Sequence, residues 1–403
     1  MVLRTTDLFN SKKECCGCSA CMNACPKGAI TMKEDEYGFI YPDIDEQKCI
    51  DCGSCKRACS LQTEASLKTP TEGYAVYNTD TEMLMQSSSG GAFSALASEV
   101  LKSGGVVYGA AWEREDHQLV VRHIGICDVS DLKKLQGSKY VQSDMGDVFR
   151  QVKKMLQADR KVLFSGTPCQ VAGLYQFLKK DYDNLYTVDV ICHGVPNGRM
   201  FNDYLQTNSI NADKLSFRDK KKGWEDYYIH YFSKQKSKHI HWRVSSFYNY
   251  FINMKIYRES CYSCRYAGRK RVSDLTIGDY WGIRQSHPEL LKEEEWHRGI
   301  YNGISCVLVN TEKGKKLLEK SEKIVKRSSS VELVSRHNGQ LNRPSKYPAD
   351  RDEILELYRT KGYRAVEKKF RKDLGSKRYY YKLKSSIPKG LVRKVKHILG
   401  KSD

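Results

Sequence analysis

The period of hydrophobic and polar positions changes several times along the chain, and each change predicts a different element. GAITMKEDEYGFIYPDIDEQKC alternates apolar and polar residues around turn signals, which predicts short strands. LQTEASLKTPTEG is polar, ends in Pro70 and Gly73, and reads as a linker. SSSGGAFSALASEVLKSGG then opens with small residues and becomes apolar at helical spacing from about Ala92 to Leu101. VVYGAAW and LVVRHIGI follow as strands, and DVSDLKKLQGSKYV as a helix running into a loop. From Met145 the order is helix (MGDVFRQVKKMLQADR), buried strand (KVLFSG), helix (CQVAGLYQFLKK), buried strand (LYTVDVIC), and a helix near Arg199 to Gln206. That alternation predicts an α/β sheet with parallel strands. FRDKKKGWEDYYIHYF and HIHWRVSSFYNYF read as aromatic-rich strands or a hairpin-like pair. GISCVLVN reads as a strand and TEKGKKLLEKSEKIV as a charged helix. In IPKGLVRKVKHIL, Ile387, Leu391, Val392, Val395, Ile398 and Leu399 share one helical face, with Lys and Arg opposite. No repeat appears beyond two cysteine runs.

Composition narrows the class. A chain of 403 residues with 40% hydrophobic and 29% charged residues has room for two or three folded domains. No apolar run reaches the ~18 residues of a membrane span, and MVLRTTDLFNSKKECC lacks the apolar core of a signal peptide. The net charge of +20 is concentrated in residues 351–403, which hold 17 Lys and Arg against 6 Asp and Glu. Basicity is therefore largely a tail property, and no nucleic-acid-binding motif accompanies it. An amphipathic basic helix suits an anionic lipid surface; a helix packed on the domain with a solvated charged face fits the same pattern. Fifteen cysteines on a chain without an export signal point to metal ligands in a reducing cytoplasm. The expected location is cytoplasmic, with the tail as the route to a peripheral contact on the inner membrane surface.

The cysteines are ordered. Cys15, Cys18, Cys21 and Cys25 are followed by Pro26, and Cys49, Cys52, Cys55 and Cys59 repeat the same x2-x2-x3 spacing. An iron–sulfur cube needs three thiolates on a curled loop and a fourth from a distant point. In two-cluster ferredoxins the fourth cysteine of each run serves the other cluster. The spacing thus assigns Cys15, Cys18, Cys21 and Cys59 to one cube, and Cys49, Cys52, Cys55 and Cys25 to the other. Zinc is the competing ion for CxxC pairs, but two complete runs without histidine disfavour it. Cys16 reads as a spare thiol.

Six cysteines lie further on. Cys169 and Cys192 each follow a predicted strand, where ligands bind in open α/β sheets. Cys261 and Cys264 form a CxxC pair. These four suit a third 4Fe–4S cluster, a structural zinc or a redox-active pair, and spacing does not separate the three. Cys127 and Cys306 fall in apolar strand-like runs and read as core. At SSSGG, the start of a helix suits a phosphate or pyrophosphate; an ordinary cap by Ser89 explains it equally well. No GxGxxG or P-loop is present, so a standard dinucleotide unit is unsupported. One-electron carriers need a converter for hydride chemistry, and flavin is the usual one.

The blocks SSSGGAFSAL, GGVVYGAAW, LQGSKYVQS, VLFSGTPCQVAGL, VDVICHGVP, FRDKKKGW, CYSCRYA and DLTIGDYWG resemble, in order, those of the coenzyme F420 hydrogenase/dehydrogenase beta-subunit family. The resemblance covers about residues 74–310 and implies an FAD and a 4Fe–4S cluster in that region. It implies flavin phosphates near Ser88, Ser89, Gly90 and Gly91, with Ser138, Lys139, Arg218 and Lys220 around the cofactor. It matches Cys169, Cys192, Cys261 and Cys264 to the family's cluster ligands. His193 would modulate the cluster or the flavin as the catalytic candidate, against the reading of a hydrogen-bonded turn histidine. The expected architecture is α/β (α+β overall). A two-cluster ferredoxin module (1–65) precedes the two parts of the catalytic domain (74–150 and 151–330) and a basic helical tail (345–403). The expected partners are a ferredoxin-like donor, a small-molecule hydride acceptor and a further oxidoreductase subunit. The acceptor would be coenzyme F420 or an unsaturated organic substrate, with cell-surface polysaccharide biosynthesis as one setting. A non-catalytic electron-transfer subunit of a larger complex is the alternative.

Overall fold

The computed structural model describes residues 8–386 apart from 64, 117, 221–222 and 234–236. Strands β1 (Ile30–Glu34) and β2 (Ile40–Ile44) form an antiparallel hairpin between the cysteine runs. β3 (Glu72–Asn78), β4 (Val106–Glu115), β5 (Gln118–Ile126), β6 (Val162–Gly166) and β7 (Leu185–Val190) enter a large sheet. β8 (Lys214–Ser216), β9 (Tyr228–Phe232) and β10 (Ser237–His241) make a separate three-stranded sheet. β11 (Leu275–Asp279), β12 (Ser305–Val309) and β13 (Ile324–Ser329) complete the large one, whose order is β13-β3-β12-β11-β7-β6-β4-β5.

The expected α/β alternation is present: helices Val148–Gln157, Pro168–Leu178 and Gly198–Thr207 flank β6 and β7. Parallel pairing, however, is confined to β4-β6-β7-β11, and both edges are antiparallel. The mostly apolar β6 and β7, which also carry Ser165, Thr187 and Asp189, lie in the middle of the sheet, as parallel strands covered on both faces do. The charged helix foreseen over TEKGKKLLEKSEKIV ends at Lys320, and Ile324–Ser329 becomes β13. Its alternating burial matches an edge strand paired to β3, a partner far away in sequence. The β9–β10 hairpin is as expected, whereas SSFYNYF forms the helix Ser246–Ile252.

The ferredoxin module is packed into the larger domain. Cys18 and Ala20 share a core with Phe149, Phe164 and Leu174, while Phe39 and Tyr41 join an aromatic core with Phe201 and Tyr257. Arg150 donates to the carbonyls of Met22, Asn23 and Cys25, capping the last turn of the helix Ala20–Ala24. In the basic tail, the helical segment Arg351–Leu374, kinked at Gly362, buries Ile354, Leu355, Tyr358, Val366 and Phe370 against the aromatic core. This part of the tail is packed on the protein. The amphipathic stretch from Ile387 to Leu399 lies outside the described residues. Among the described residues no helix is long and apolar enough to cross a membrane.

Candidate electron-transfer site

Each ferredoxin loop curls through the same two backbone positions. In the first, Gly17 and Ser19 have φ of 65° and 62°; in the second, Asp51 and Gly53 have 50° and 66°. Each pair occupies the second place of the first gap and the first place of the second gap. Left-handed residues there turn the chain back on itself, so two thiols of each run converge with the third, Cys21 or Cys55, in the first turn of the short helices Ala20–Ala24 and Ser54–Arg57. Burial is the main cause of the raised thiols of Cys15, Cys21 and Cys55, and beside it Cys59 lies close enough to add to the first two and Cys25 to the third. The geometry is that of exchanged fourth cysteines.

The two loops face different surroundings. Cys52 is exposed, and Ile50, next to Cys49, is 57% exposed. The counterpart of Ile50 in the first loop is Cys16, which is enclosed within hydrogen-bonding contact of both Cys18 and Cys169. The supposed spare thiol therefore stands between the ferredoxin module and the second group of cysteines. Its position in the fold could not be read from its spacing.

That second group converges on one cavity of about 430 Å³ lined by Cys169, Cys192, Cys261 and Cys264. Cys169 is held at the start of the helix Pro168–Leu178, whose N-terminus carries a capping box of Thr167 and Gln170. Cys192 follows β7, and Cys261 and Cys264 sit on the turn Glu259–Ser263 and just after it. A fully buried ion pair fixes the relation between these segments. Arg271 donates to Asp189 Oδ1 at 2.9 Å, to Val190 O before Cys192, and to Tyr266 O and Gly268 O after Cys264. The contact with Cys16, and then burial, raises the thiol of Cys169; burial raises those of Cys192, to about 12, Cys261 and Cys264. Four thiols packed together in this way fit a thiolate-binding metal centre, whose positive charge would supply what the protein withholds.

Arg258, three residues before Cys261, also fits such a centre. It is fully buried, donates to Cys15 O (2.7 Å), Ile40 O (2.7 Å) and Gln142 Oε1 (3.1 Å), and lies 4.1 Å from the Tyr41 ring centroid. No carboxylate pairs with it among the described residues. A buried cation without a counter-ion is costly, and a cluster of net negative charge would balance it.

A second cavity of about 440 Å³ adjoins the first, sharing the wall of Cys16, Thr167, Cys169, Cys192, His193, Gly194 and Val195. Its volume is that of a small-molecule site. Gly91, at φ 78°, caps the helix Ala92–Lys102, and no side chain covers the first free N–H groups. Ala92, Phe93 and Ser94 line the cavity, so this helix start faces open space where an anion would be stabilised. Ser89 is not the cap: its hydroxyl donates to Ile304 O at 2.8 Å. Ser88 Oγ accepts from both Ser138 N (2.6 Å) and Ser138 Oγ (2.8 Å), tying two loops of the wall together. Lys139 also lines the cavity, and burial lowers its ammonium to about 7.

Two residues expected around the cofactor lie behind the cavity wall. Gly90 does not line the cavity; a Cβ there would lie 2.2 Å from Val76 O and 2.4 Å from Ser305 N, so glycine lets the loop press onto β3 and β12. Lys220 donates to Leu84 O and Ser89 O, both at 2.6 Å, and braces the serine loop from outside. Arg218 does line the cavity. It pairs with Asp279 (2.8 Å) and lies 4.6 Å from the Tyr227 ring and 5.4 Å from the Trp281 ring. His193 faces both cavities, and its carbonyl accepts from the Ser345 hydroxyl. Surrounding protein lowers its pKa, although its surface is open to the cavities.

Another cavity residue, His123, carried no signal in the sequence. Its Nε2–H donates to Ser165 O (3.0 Å), so Nδ1 accepts from Ser143 Oγ (2.8 Å). Ser143 in turn accepts from Gln170 Nε2, and Gln170 Oε1 accepts from Thr167 N. Burial lowers His123 to about 4 and keeps it neutral. Cys306 is core, as read from the sequence. Cys127 is exposed, because it follows the end of β5 instead of lying within it.

Family comparisons account for both regions. The 4Fe-4S dicluster domain matches residues 14–62. The N-terminal part of the coenzyme F420 hydrogenase/dehydrogenase beta subunit matches residues 73–150, and the C-terminal part residues 159–329. The chain belongs to the coenzyme F420 hydrogenase/dehydrogenase beta-subunit family. As a member carrying an N-terminal dicluster domain, it is an iron–sulfur electron-transfer oxidoreductase. An uncharacterized ferredoxin of Methanocaldococcus jannaschii is 32% identical over 53 residues, 13% of this chain and 68% of that protein. A chain in the xenon-derivatized F420-reducing [NiFe] hydrogenase complex from Methanosarcina barkeri aligns at 16% identity and a TM-score of 0.44. That alignment covers 77% of this chain and 94% of the other.

Proposed function

We propose that this protein is an iron–sulfur flavoprotein that exchanges electrons between a ferredoxin-type donor and a hydride acceptor. The acceptor is coenzyme F420 or an unsaturated organic substrate, with cell-surface polysaccharide biosynthesis as one setting. The observation that carries the reading is the shared wall: the four-cysteine cavity and the cavity at the open helix start meet at Cys169, Cys192 and His193.

In this reading Cys49, Cys52, Cys55 and Cys25 hold the outer ferredoxin cluster, where the exposed Cys52 and Ile50 meet the donor. Cys15, Cys18, Cys21 and Cys59 hold the inner one. Cys169, Cys192, Cys261 and Cys264 hold a third 4Fe–4S cluster, and Cys16 lies on the short path between it and the inner ferredoxin site. The helix start at Gly91, with Ser88, Ser138 and Lys139, holds the phosphates of FAD, and Arg218 orders Tyr227 and Trp281 along the wall. A flavin supplies the conversion between single electrons and a hydride. His123, held neutral by burial, adds no positive charge there.

Anaerobic reconstitution tests the reading. About twelve iron atoms and one FAD per chain are expected, and reoxidation on mixing the reduced protein with coenzyme F420 identifies the deazaflavin as acceptor. About eight iron atoms would remove the third cluster. Absence of bound flavin would leave an electron-transfer subunit.

A further inference from the structure

The small sheet β8-β9-β10 carries a group of side chains that the electron path does not use. His230 on β9 and His239 on β10 are directly opposed cross-strand partners. Asp219, just past β8, reaches both: Oδ2 lies 3.2 Å from His230 Nδ1 and Oδ1 lies 3.3 Å from His239 Nε2. The two imidazoles are stacked at 3.7 Å between centroids and 23° between planes. One donor atom from each of the three residues lies within 4.8 Å of the other two. His230 is 91% buried by its 9% relative exposure, and its Nε2 makes no hydrogen bond among the described residues.

We propose that Asp219, His230 and His239 form a site for a first-row divalent cation of the zinc type. Two imidazoles and one carboxylate are a borderline N/O ligand set, which suits Zn²⁺ over Ca²⁺ or Mg²⁺ and contains no thiolate for an iron–sulfur cluster. Three protein ligands leave room for a further ligand such as water. An ion at these atoms gives the stacked imidazoles a common partner in place of two rings competing for one carboxylate.

The position of Asp219 gives the site its consequence. The residue before it, Arg218, lines the cofactor cavity and orders Tyr227 and Trp281; the residue after it, Lys220, braces the Ser89 loop. Asp219 itself reaches the opposite way, to the hairpin. A bound cation therefore ties the β9–β10 hairpin to the segment that supports the cavity, and acts as a positioning site.

The test uses the full chain, reconstituted first with its iron–sulfur clusters and then loaded with Zn²⁺ and freed of loose metal. One zinc per chain is expected, with an X-ray absorption shell of nitrogen and oxygen and no sulfur. His239→Gln and Asp219→Asn should each weaken Zn²⁺ binding by about tenfold or more while iron per chain stays unchanged. Failure of the wild-type chain to retain zinc overturns the site, as does a sulfur-containing shell, which would put the metal on cysteines. Undiminished binding by both variants overturns it as well. The wild-type absorption spectrum decides the matter even where a variant folds poorly.

Discussion

The eight N-terminal cysteines and the four around the larger cavity bring thiols together by opposite means. In the ferredoxin module the curl is local: left-handed residues at matching places in both loops set it, within a few positions of each cysteine. In the second group, a helix start, a strand end and a separate turn deliver the thiols, and a buried Arg271–Asp189 pair holds the strand end and the turn together. The lesson is that a local site tolerates a change of surroundings, while an assembled site depends on them. The two ferredoxin loops make the same point within one module. Their backbones match, yet the place after the first cysteine is exposed Ile50 in one and enclosed Cys16 in the other.

The sharpest break of this comparison is Cys264→Ala. Iron should fall from about twelve to about eight atoms per chain, and donor-to-acceptor transfer should be lost, with both ferredoxin signals retained by electron paramagnetic resonance. Loss of all iron would show that the two assemblies are not independent. Next comes Arg271→Met, which leaves Asp189 buried and uncompensated. It should cost about 3–5 kcal/mol in denaturant unfolding. The joint change of Arg271 and Asp189 to apolar residues should recover part of that loss. Iron in the four-cysteine site should fall before iron in the ferredoxin module does.

Binding of a flavin phosphate sharpens the comparison from the cavity side. Lys139 is lowered to about 7 by burial, and an anion binds the charged ammonium better. Below about pH 7 the lysine is charged before binding and affinity should be flat. Above it, the bound state must take up a proton and affinity should fall by up to about tenfold per pH unit. Titration of FAD at several pH values should lose this slope in Lys139→Met. The smallest effect is expected at the junction. Arg258→Gln removes a buried positive charge beside Cys15, and should lower the reduction potential of the inner ferredoxin cluster by on the order of 50 mV. The outer cluster should move less.

How much was legible follows the same division. The strands and helices from Met145 to Gln206 were readable because largely apolar strands alternating with helices leave few other arrangements. β13 was read as the end of a helix because its pairing with β3 joins positions far apart in the chain. Ser88, Ser89, Gly91, Ser138, Lys139 and Arg218 were marked by resemblance, and all lie on the cavity wall. Gly90 and Lys220 were marked by the same resemblance but act from behind, a distinction that depends on which side of the loop faces β12. His123, Arg258 and Arg271 carry no motif. Their importance comes from partners brought close only by the fold.

The sequence by itself determined the two ferredoxin loops, the four later cysteines as a candidate set, and the α/β order of the middle of the chain. Each of these depends on spacing or periodicity over a few residues, where backbone sterics leave little choice. Only the tertiary structure decided that Cys16 stands between the two groups of cysteines and that one ferredoxin loop faces inward and the other outward. It alone decided that the cysteine cavity and the open helix start share a wall. These are consequences of packing between segments distant in sequence, and local patterns do not encode which distant surfaces will meet.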